Sequence, residues 1–207
     1  MHKSFDIVII GGGNAGLTLA KNLSDLRVAE NIAVIEPKHP KEKRANWCSW
    51  FREENLNNYQ DSIRGVWDGW SIIDDKANIK HKSLEYNYAC IDSALYLSCI
   101  EEKLRNCNIM IIRDSVEKIQ IKKNNKRELQ CKKNTYEAIH VYDSRPPEIE
   151  DGSLRQHFLG IEYELNDNQN IDAPILMDFR VDQSLGLHFI YALPFYGNKL
   201  FIESTVI

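Results

Sequence analysis

Gly11, Gly13 and Gly16 stand in the run Gly11-Gly12-Gly13-Asn14-Ala15-Gly16, a Gly-x-Gly-x-x-Gly spacing near the start of a 207-residue chain. These positions answer what a pyrophosphate asks of a backbone. Gly11 permits a tight turn, Gly13 lets the main chain approach the phosphates with no Cβ in the way, and Gly16 allows a helix to pack closely on a strand. Asn14 and Ala15 open that helix, whose unpaired N–H groups face the phosphates. Glu36 follows about 20 residues after Gly16, where a carboxylate accepts hydrogen bonds from a ribose diol and repels a 2′-phosphate. The ligand so specified is FAD or NAD rather than NADP.

The glycine pattern is weak alone, and its flanks give it meaning. Phe5 to Ile10 is a nearly continuous apolar run, as expected of a strand buried on both faces. From Asn14 to Arg27, Ala15, Leu19, Leu23 and Leu26 fall on one helical stripe, and Asn31 to Glu36 is a second apolar run closed by Pro37. The first 36 residues therefore read β-α-β with a right-handed crossover. Residues 38–60 read as a polar, irregular segment. Strands are expected around Val66 to Ile73 and Ser83 to Tyr88, a helix capped by Asp92 over Ser93 to Leu104, and a strand at Ile109 to Ile112. Ser115 to Val141 reads as a β-meander turning at Asn124-Asn125, and from Phe158 onward only strand signals remain. The fold class is α/β, a Rossmann-like FAD/NAD(P)-binding fold with a β-meander. An incomplete antiparallel β-rich substrate domain follows it. The expected domains are 1–150 for the dinucleotide and 151–207 for the start of the substrate domain, which breaks off inside a strand and so reads as truncated. Two features favour FAD over NAD: the long segment 38–60 where an NAD domain continues into another βα unit, and the meander before Asp143-Ser144-Arg145, an analogy at the level of fold.

Composition narrows the classes. With 26 Lys and Arg against 30 Asp and Glu, a net charge of −4 gives no electrostatic reason to expect a nucleic-acid partner. Cys48, Cys90, Cys99, Cys107 and Cys131 form no CxxC pair, and the histidines are scattered. We therefore expect reduced thiols and no metal site. No apolar stretch reaches the roughly 18 residues that span a bilayer, and the N-terminus lacks a secretory pattern. The expected location is cytoplasmic.

The chain resembles the bacterial lycopene cyclase family over essentially its whole length. Asn46-Trp47-Cys48, Tyr88 with Ile91-Asp92-Ser93 and Leu95, and Val141-Tyr142-Asp143-Ser144-Arg145-Pro146 resemble family segments. The most specific match is Leu176-Met177-Asp178-Phe179-Arg180-Val181-Asp182-Gln183. It is followed in order by Phe189-Ile190-Tyr191-Ala192-Leu193-Pro194-Phe195 and Phe201-Ile202-Glu203-Ser204-Thr205. The resemblance implies the N-terminal portion of such a flavoprotein, with the remainder supplied by further chain or a C-terminal partner half. It also implies lycopene as substrate, FAD in its reduced form with NAD(P)H as reductant, and peripheral association with the inner face of the membrane, because carotenoids dissolve in lipid.

The implied reaction is a cyclisation without net redox change. A proton adds to a terminal polyene double bond, a carbocation forms, the ring closes, and proton loss leaves a β-ring. By resemblance Glu203 is the acid, Asp143 and Arg145 lie near the flavin, and Asp178, Asp182 and Trp47 serve the substrate. Strand alternation puts Phe201, Glu203 and Thr205 on one face, and an acid beside an aromatic, away from water, keeps its proton near neutral pH. Two other readings stand beside this one: a different FAD-dependent enzyme of geranylgeranyl reductase or hydroxylase type, and a non-catalytic nucleotide-binding fragment.

Overall fold

The computed structural model describes residues 3–107, 109–147, 149–150, 152–166, 171–184 and 186–207. In chain order the first elements are β1 (Lys3–Ile10), α1 (Asn14–Asp25), β2 (Ile32–Ile35), β3 (Asn46–Phe51) and the short α2 (Glu53–Leu56). Four strands follow, β4 (Ile63–Trp67), β5 (Gly69–Ile73), β6 (Asn78–Lys82) and β7 (Asn87–Asp92), and then α3 (Ser93–Asn106) and β8 (Met110–Ile112). The meander is β9 (Val116–Ile121), β10 (Arg127–Cys131) and β11 (Thr135–Asp143). The last strands are β12 (His157–Glu164), β13 (Ile175–Asp178), β14 (His188–Phe195) and β15 (Lys199–Val206).

The chain divides into two compact units; one division falls after Glu148, near the expected residue 150, but the second unit also takes in residues 46–91, which the expected division gave to the first. The first unit is Met1–Ala45 with Asp92–Glu148; the second is Asn46–Ile91 with Ile149–Ile207. Residues 46–91 thus leave the first unit and build the second. They carry β3, β4, β5 and β6 and most of β7, so the segment 38–60 is not irregular throughout. Its polar sequence hid β3, whose burial follows no clean two-residue alternation. Of the strand expected at Ser83 to Tyr88, Asn87 and Tyr88 open β7, while residues 83–86 form a turn in which Ser83 Oγ accepts from the Tyr86 N–H at 3.0 Å.

In the first unit six strands run in the order β8-β2-β1-β11-β10-β9. β8, β2, β1 and β11 are mutually parallel, and β11, β10 and β9 form the antiparallel meander. Val8, Ile9, Ala33 and Val34 are fully buried, as a central parallel pair covered on both faces must be. One face is packed by Phe5, Ile10, Ile35, Val116, Leu129 and Tyr136. α1 buries Gly16, Leu17 and Ala20. It ends two residues before the expected Arg27 because Arg27 takes a left-handed φ of 52°. The Arg27 N–H bonds Ser24 O at 3.0 Å and the Val28 N–H bonds Leu23 O at 3.3 Å, a Schellman closure with arginine where glycine is usual. α3 starts as expected, with Asp92 accepting from the Leu95 N–H at 3.0 Å.

In the second unit a six-stranded sheet runs β12-β15-β14-β13-β5-β6, accompanied by a three-stranded sheet β3-β7-β4. β12, β15 and β14 are antiparallel in unbroken register. Tyr88 and Cys90 of the small sheet pack with Leu193 and Phe195 of the large one, and Cys48, Trp67, Trp70, Leu176, Tyr191 and Phe201 close around them.

Candidate active site

The glycine turn leaves the carboxyl end of β1 and enters α1. Gly11 has φ +98°, a conformation open to glycine, and a Cβ there would lie 2.5 Å from Ser144 Oγ. A Cβ on Gly16 would lie 1.9 Å from Gly11 O, so helix and turn touch backbone to backbone. Gly13 is different: nothing lies within 4 Å of the place a Cβ would take. Gly13 is also the N-cap residue of α1 and supplies no side-chain cap, so the first N–H groups of the helix, Asn14 and Ala15 among them, lack a capping side chain. This is an open cradle at a helix N-terminus, the geometry that receives a pyrophosphate.

Glu36 follows β2 and is 9 % exposed. Its Oε2 accepts from the Gly12 N–H at 2.8 Å and from Lys43 Nζ at 2.5 Å, and its Oε1 accepts from the Lys38 N–H at 2.9 Å. Burial works to raise its pKa, but the Lys43 ammonium and the two backbone donors outweigh it and hold the carboxyl below its ordinary value. Lys43 also donates to Gly12 O at 3.0 Å, tying the acid to the glycine turn. The segment carrying Lys43 is held by the buried Ser93, whose Oγ accepts from the Ala45 N–H at 2.8 Å and donates to Lys43 O at 2.5 Å.

Asp143 ends β11 as the register partner of Ile10. Ser144 donates to Ile10 O from its N–H at 2.9 Å and from its Oγ at 2.8 Å, which pins this corner against the turn. Arg145 forks onto Asp143, with Nε 2.9 Å from Oδ1 and Nη2 2.6 Å from Oδ2, and its Nη1 donates to Val116 O at 2.9 Å. The guanidinium holds the Asp143 carboxyl below its usual range. The structure thus gathers Gly11, Gly13, Asn14, Ala15, Gly16, Glu36, Asp143 and Arg145 at the carboxyl ends of the parallel strands of one sheet. Lys43 and Ser144 join them; no spacing rule had pointed to Lys43.

In the second unit Glu203 sits mid-way along β15, half-buried, with Gly160 of β12 and Tyr191 of β14 as its register partners. Directly opposed residues share a face of a sheet. Thr205, fully buried, donates its hydroxyl to Glu203 Oε1 at 3.2 Å. Tyr191 and Tyr88 bring their hydroxyls to 2.8 Å. Burial and the neighbouring Cys48 push both phenols well above the ordinary value of 10.0. Hydrogen bonding to Cys90, and further bonds to Tyr191 and Tyr88, prevail over burial and draw the Cys48 thiol down. Aromatic rings line this region: Trp67 lies 6.4 Å from Tyr88 and 6.0 Å from Phe195, and Phe201 meets Tyr191 edge-on at 6.4 Å.

The other expected substrate residues have local work. Asp178 is clasped by Arg180, with Nε at 2.9 Å and Nη2 at 2.7 Å, and Asp182 accepts from the Ser184 N–H at 3.1 Å and Oγ at 2.7 Å. Both act as turn carboxylates. Trp47 is half-buried in β3, whereas Trp50 packs 5.0 Å from Tyr88 and 5.6 Å from Trp70. Among the described residues no group of three or more His, Cys, Asp or Glu is placed to hold a metal, the five cysteines are free, and no helix is long and apolar enough to cross a membrane.

The fold is one that occurs in solved flavoproteins. It is shared with a geranylgeranyl bacteriochlorophyll reductase-like protein from Thermoplasma acidophilum, at a TM-score of 0.72 and 14 % identity over 100 % of this chain and 57 % of that one. It is shared also with CtdE, solved in complex with FAD, at a TM-score of 0.67 and 12 % identity over 99 % and 59 % of the two chains. The chain belongs to the lycopene cyclase protein family, whose model matches residues 6–207. It is 23 % identical to the lycopene beta-cyclase of Pantoea ananas over 99 % of this chain and 53 % of that protein. The chain spans about half the length of the curated relatives it matches.

Proposed function

We propose that this chain is the dinucleotide- and acid-bearing portion of a lycopene cyclase-like flavoprotein. On this reading it holds FAD in its first unit and uses Glu203 of its second to cyclise the ends of lycopene into β-rings. The observation that carries the proposal is the seat of Glu203: a carboxyl on an aromatic-lined sheet face, bonded by a fully buried hydroxyl, in a chain of the lycopene cyclase family.

The residues fit FAD. Gly13 leaves space where a side chain would block a pyrophosphate, the α1 N-terminus offers free N–H groups, and Glu36 is a buried carboxylate suited to a ribose diol. In its reduced form, renewed by NAD(P)H, bound flavin supplies a planar, electron-rich ring that stabilises positive charge. The rest falls to side chains. Glu203 gives its proton to a terminal double bond of the polyene. The cation attacks an internal double bond and closes the ring. An adjacent carbon then loses a proton, so the substrate gains one proton, loses one, and keeps its mass. The apolar walls keep water from capturing the cation. Asp143 and Arg145, locked to each other, stiffen the corner behind the glycine turn.

The test is to supply the protein with FAD, NADH and lycopene in liposomes and to analyse the product. A yellow, flavin-bound protein and a cyclic product of unchanged mass are expected. A product differing in mass by two hydrogens or an oxygen overturns cyclisation in favour of redox chemistry, and a colourless protein that turns nothing over overturns the flavoenzyme reading.

A further inference from the structure

Thr205 is fully buried, and its register partners on the two neighbouring strands are Phe158 and Phe189. A hydroxyl in such a place is tolerated only when it is hydrogen-bonded. The bond it makes is to Glu203 Oε1. The opposite side of the carboxyl stem is shaped by an absence. Gly160 is the β12 partner of Glu203, and a Cβ there would lie 2.3 Å from Cζ and 2.6 Å from Cε2 of Phe201. The ring of Phe201 therefore lies in the space that a side chain facing Glu203 would fill. Its opposite flank meets Tyr191, the β14 partner of the same glutamate.

We propose that Thr205 and Gly160 are the positioning residues of Glu203. The buried hydroxyl fixes one carboxyl oxygen, and the missing side chain seats the Phe201 ring against the stem, so the acid is held in one orientation from both sides. Neither residue touches the polyene; both act through Glu203. The proposal rests on the reading of Glu203 as the acid, and it explains why that strand carries a polar residue in a buried position where an isosteric valine would pack. A proton donor displaced by about 1 Å can lose a hundredfold in rate, so a two-sided seat on the carboxyl has a function that strand pairing alone does not provide.

The experiment uses Thr205→Val, which keeps the shape and removes the hydroxyl, Thr205→Ser, which restores it, and Gly160→Ala. Two readouts are taken. The first is the infrared carboxyl band of Glu203, isolated as the difference between the protein and its Glu203→Gln variant. The second is steady-state cyclisation of lycopene. In Thr205→Val we expect a displaced band and a kcat lower by about ten- to a hundredfold at unchanged KM, with both returning in Thr205→Ser. In Gly160→Ala we expect a displaced band. If Gly160→Ala does not fold, the two Thr205 variants decide alone. A Thr205→Val protein whose Glu203 band and kcat match the parent overturns the proposal. A displaced band in a protein that never cyclises lycopene leaves the seat standing and overturns the cyclase reading, so the two failures are told apart.

Discussion

Replacing Gly13 with serine, beside a control at Gly16, separates a ligand cradle from a turn that is merely tight. The two glycines belong to one motif, yet their surroundings are opposite. A Cβ at Gly16 meets Gly11 O at 1.9 Å, where ordinary contact begins near 3.4 Å. That oxygen is backbone and cannot swing away, so α1 must lift from β1. Overpacking of this kind costs about 3 kcal/mol, offset by roughly 1 kcal/mol that alanine gains over glycine in a helix. The net loss of about 2 kcal/mol lowers the melting temperature of Gly16→Ala by about 4–8 °C for a chain of this length. At Gly13 nothing lies within 4 Å, and φ −80°, ψ −173° is an extended N-cap conformation that serine favours. Gly13→Ser should therefore melt within about 2 °C of the parent. Its side chain would nonetheless stand where the pyrophosphate must approach, so the Kd for FAD should rise at least about tenfold, or 1.4 kcal/mol. Quenching of flavin fluorescence on titration reads the affinity, and a thermal melt reads the stability. A stable Gly13→Ser protein that binds FAD as tightly as the parent refutes the cradle, whatever Gly16→Ala does.

Three further predictions concern single groups. Arg27 closes α1 at φ 52°, so Arg27→Gly should relieve left-handed strain and stabilise the fold by about 0.5–1 kcal/mol, seen as a later denaturation midpoint. The folded pKa of Glu36 lies below its ordinary 4.5, so its contribution to stability is complete above that pH and is lost as pH falls through the folded value. Denaturant melts between pH 3 and 5 should show a shallower loss in Glu36→Gln than in the parent. Tyr88 and Tyr191 are raised above 10.0, so the stability tied to their neutral forms is complete below pH 10 and is lost as pH climbs from there towards the folded values. Alkaline ultraviolet titration should leave Tyr88 and Tyr191 among the tyrosines that stay un-ionised past pH 10, and Tyr88→Phe should reduce their number by one.

The first unit was legible because each of its demands is local. Gly11, Gly13 and Gly16 sit between a buried strand and an amphipathic helix, Glu36 lies one strand away, and Asp92 caps its helix through a bond three residues on. The second unit was partly hidden because its pairings are long-range. β5 pairs in parallel with β13, about a hundred residues further on, and no periodicity in residues 46–91 announces that they leave the dinucleotide unit. The supports of the proposed sites were hidden because no spacing rule points to them. Lys43 reaches Glu36 from a polar segment, and Gly160 leaves room for the Phe201 ring on the adjacent strand β15, far along the chain. Asp178 and Asp182, which the sequence offered by family resemblance, make local bonds to Arg180 and Ser184 that their spacing of two residues allows.

The most direct measurement of the central claim is the mass of the product made in D2O. Cyclisation by proton addition and proton loss takes one hydrogen from the protein and releases one from the substrate. With Glu203 as an acid in exchange with solvent, each ring closed in D2O carries one deuterium, and the product is heavier by one mass unit per ring than the product made in water. The account predicts that increment in the parent protein and no cyclic product from Glu203→Gln, with flavin still bound. Rings formed without deuterium, or formed as readily by Glu203→Gln, would contradict it.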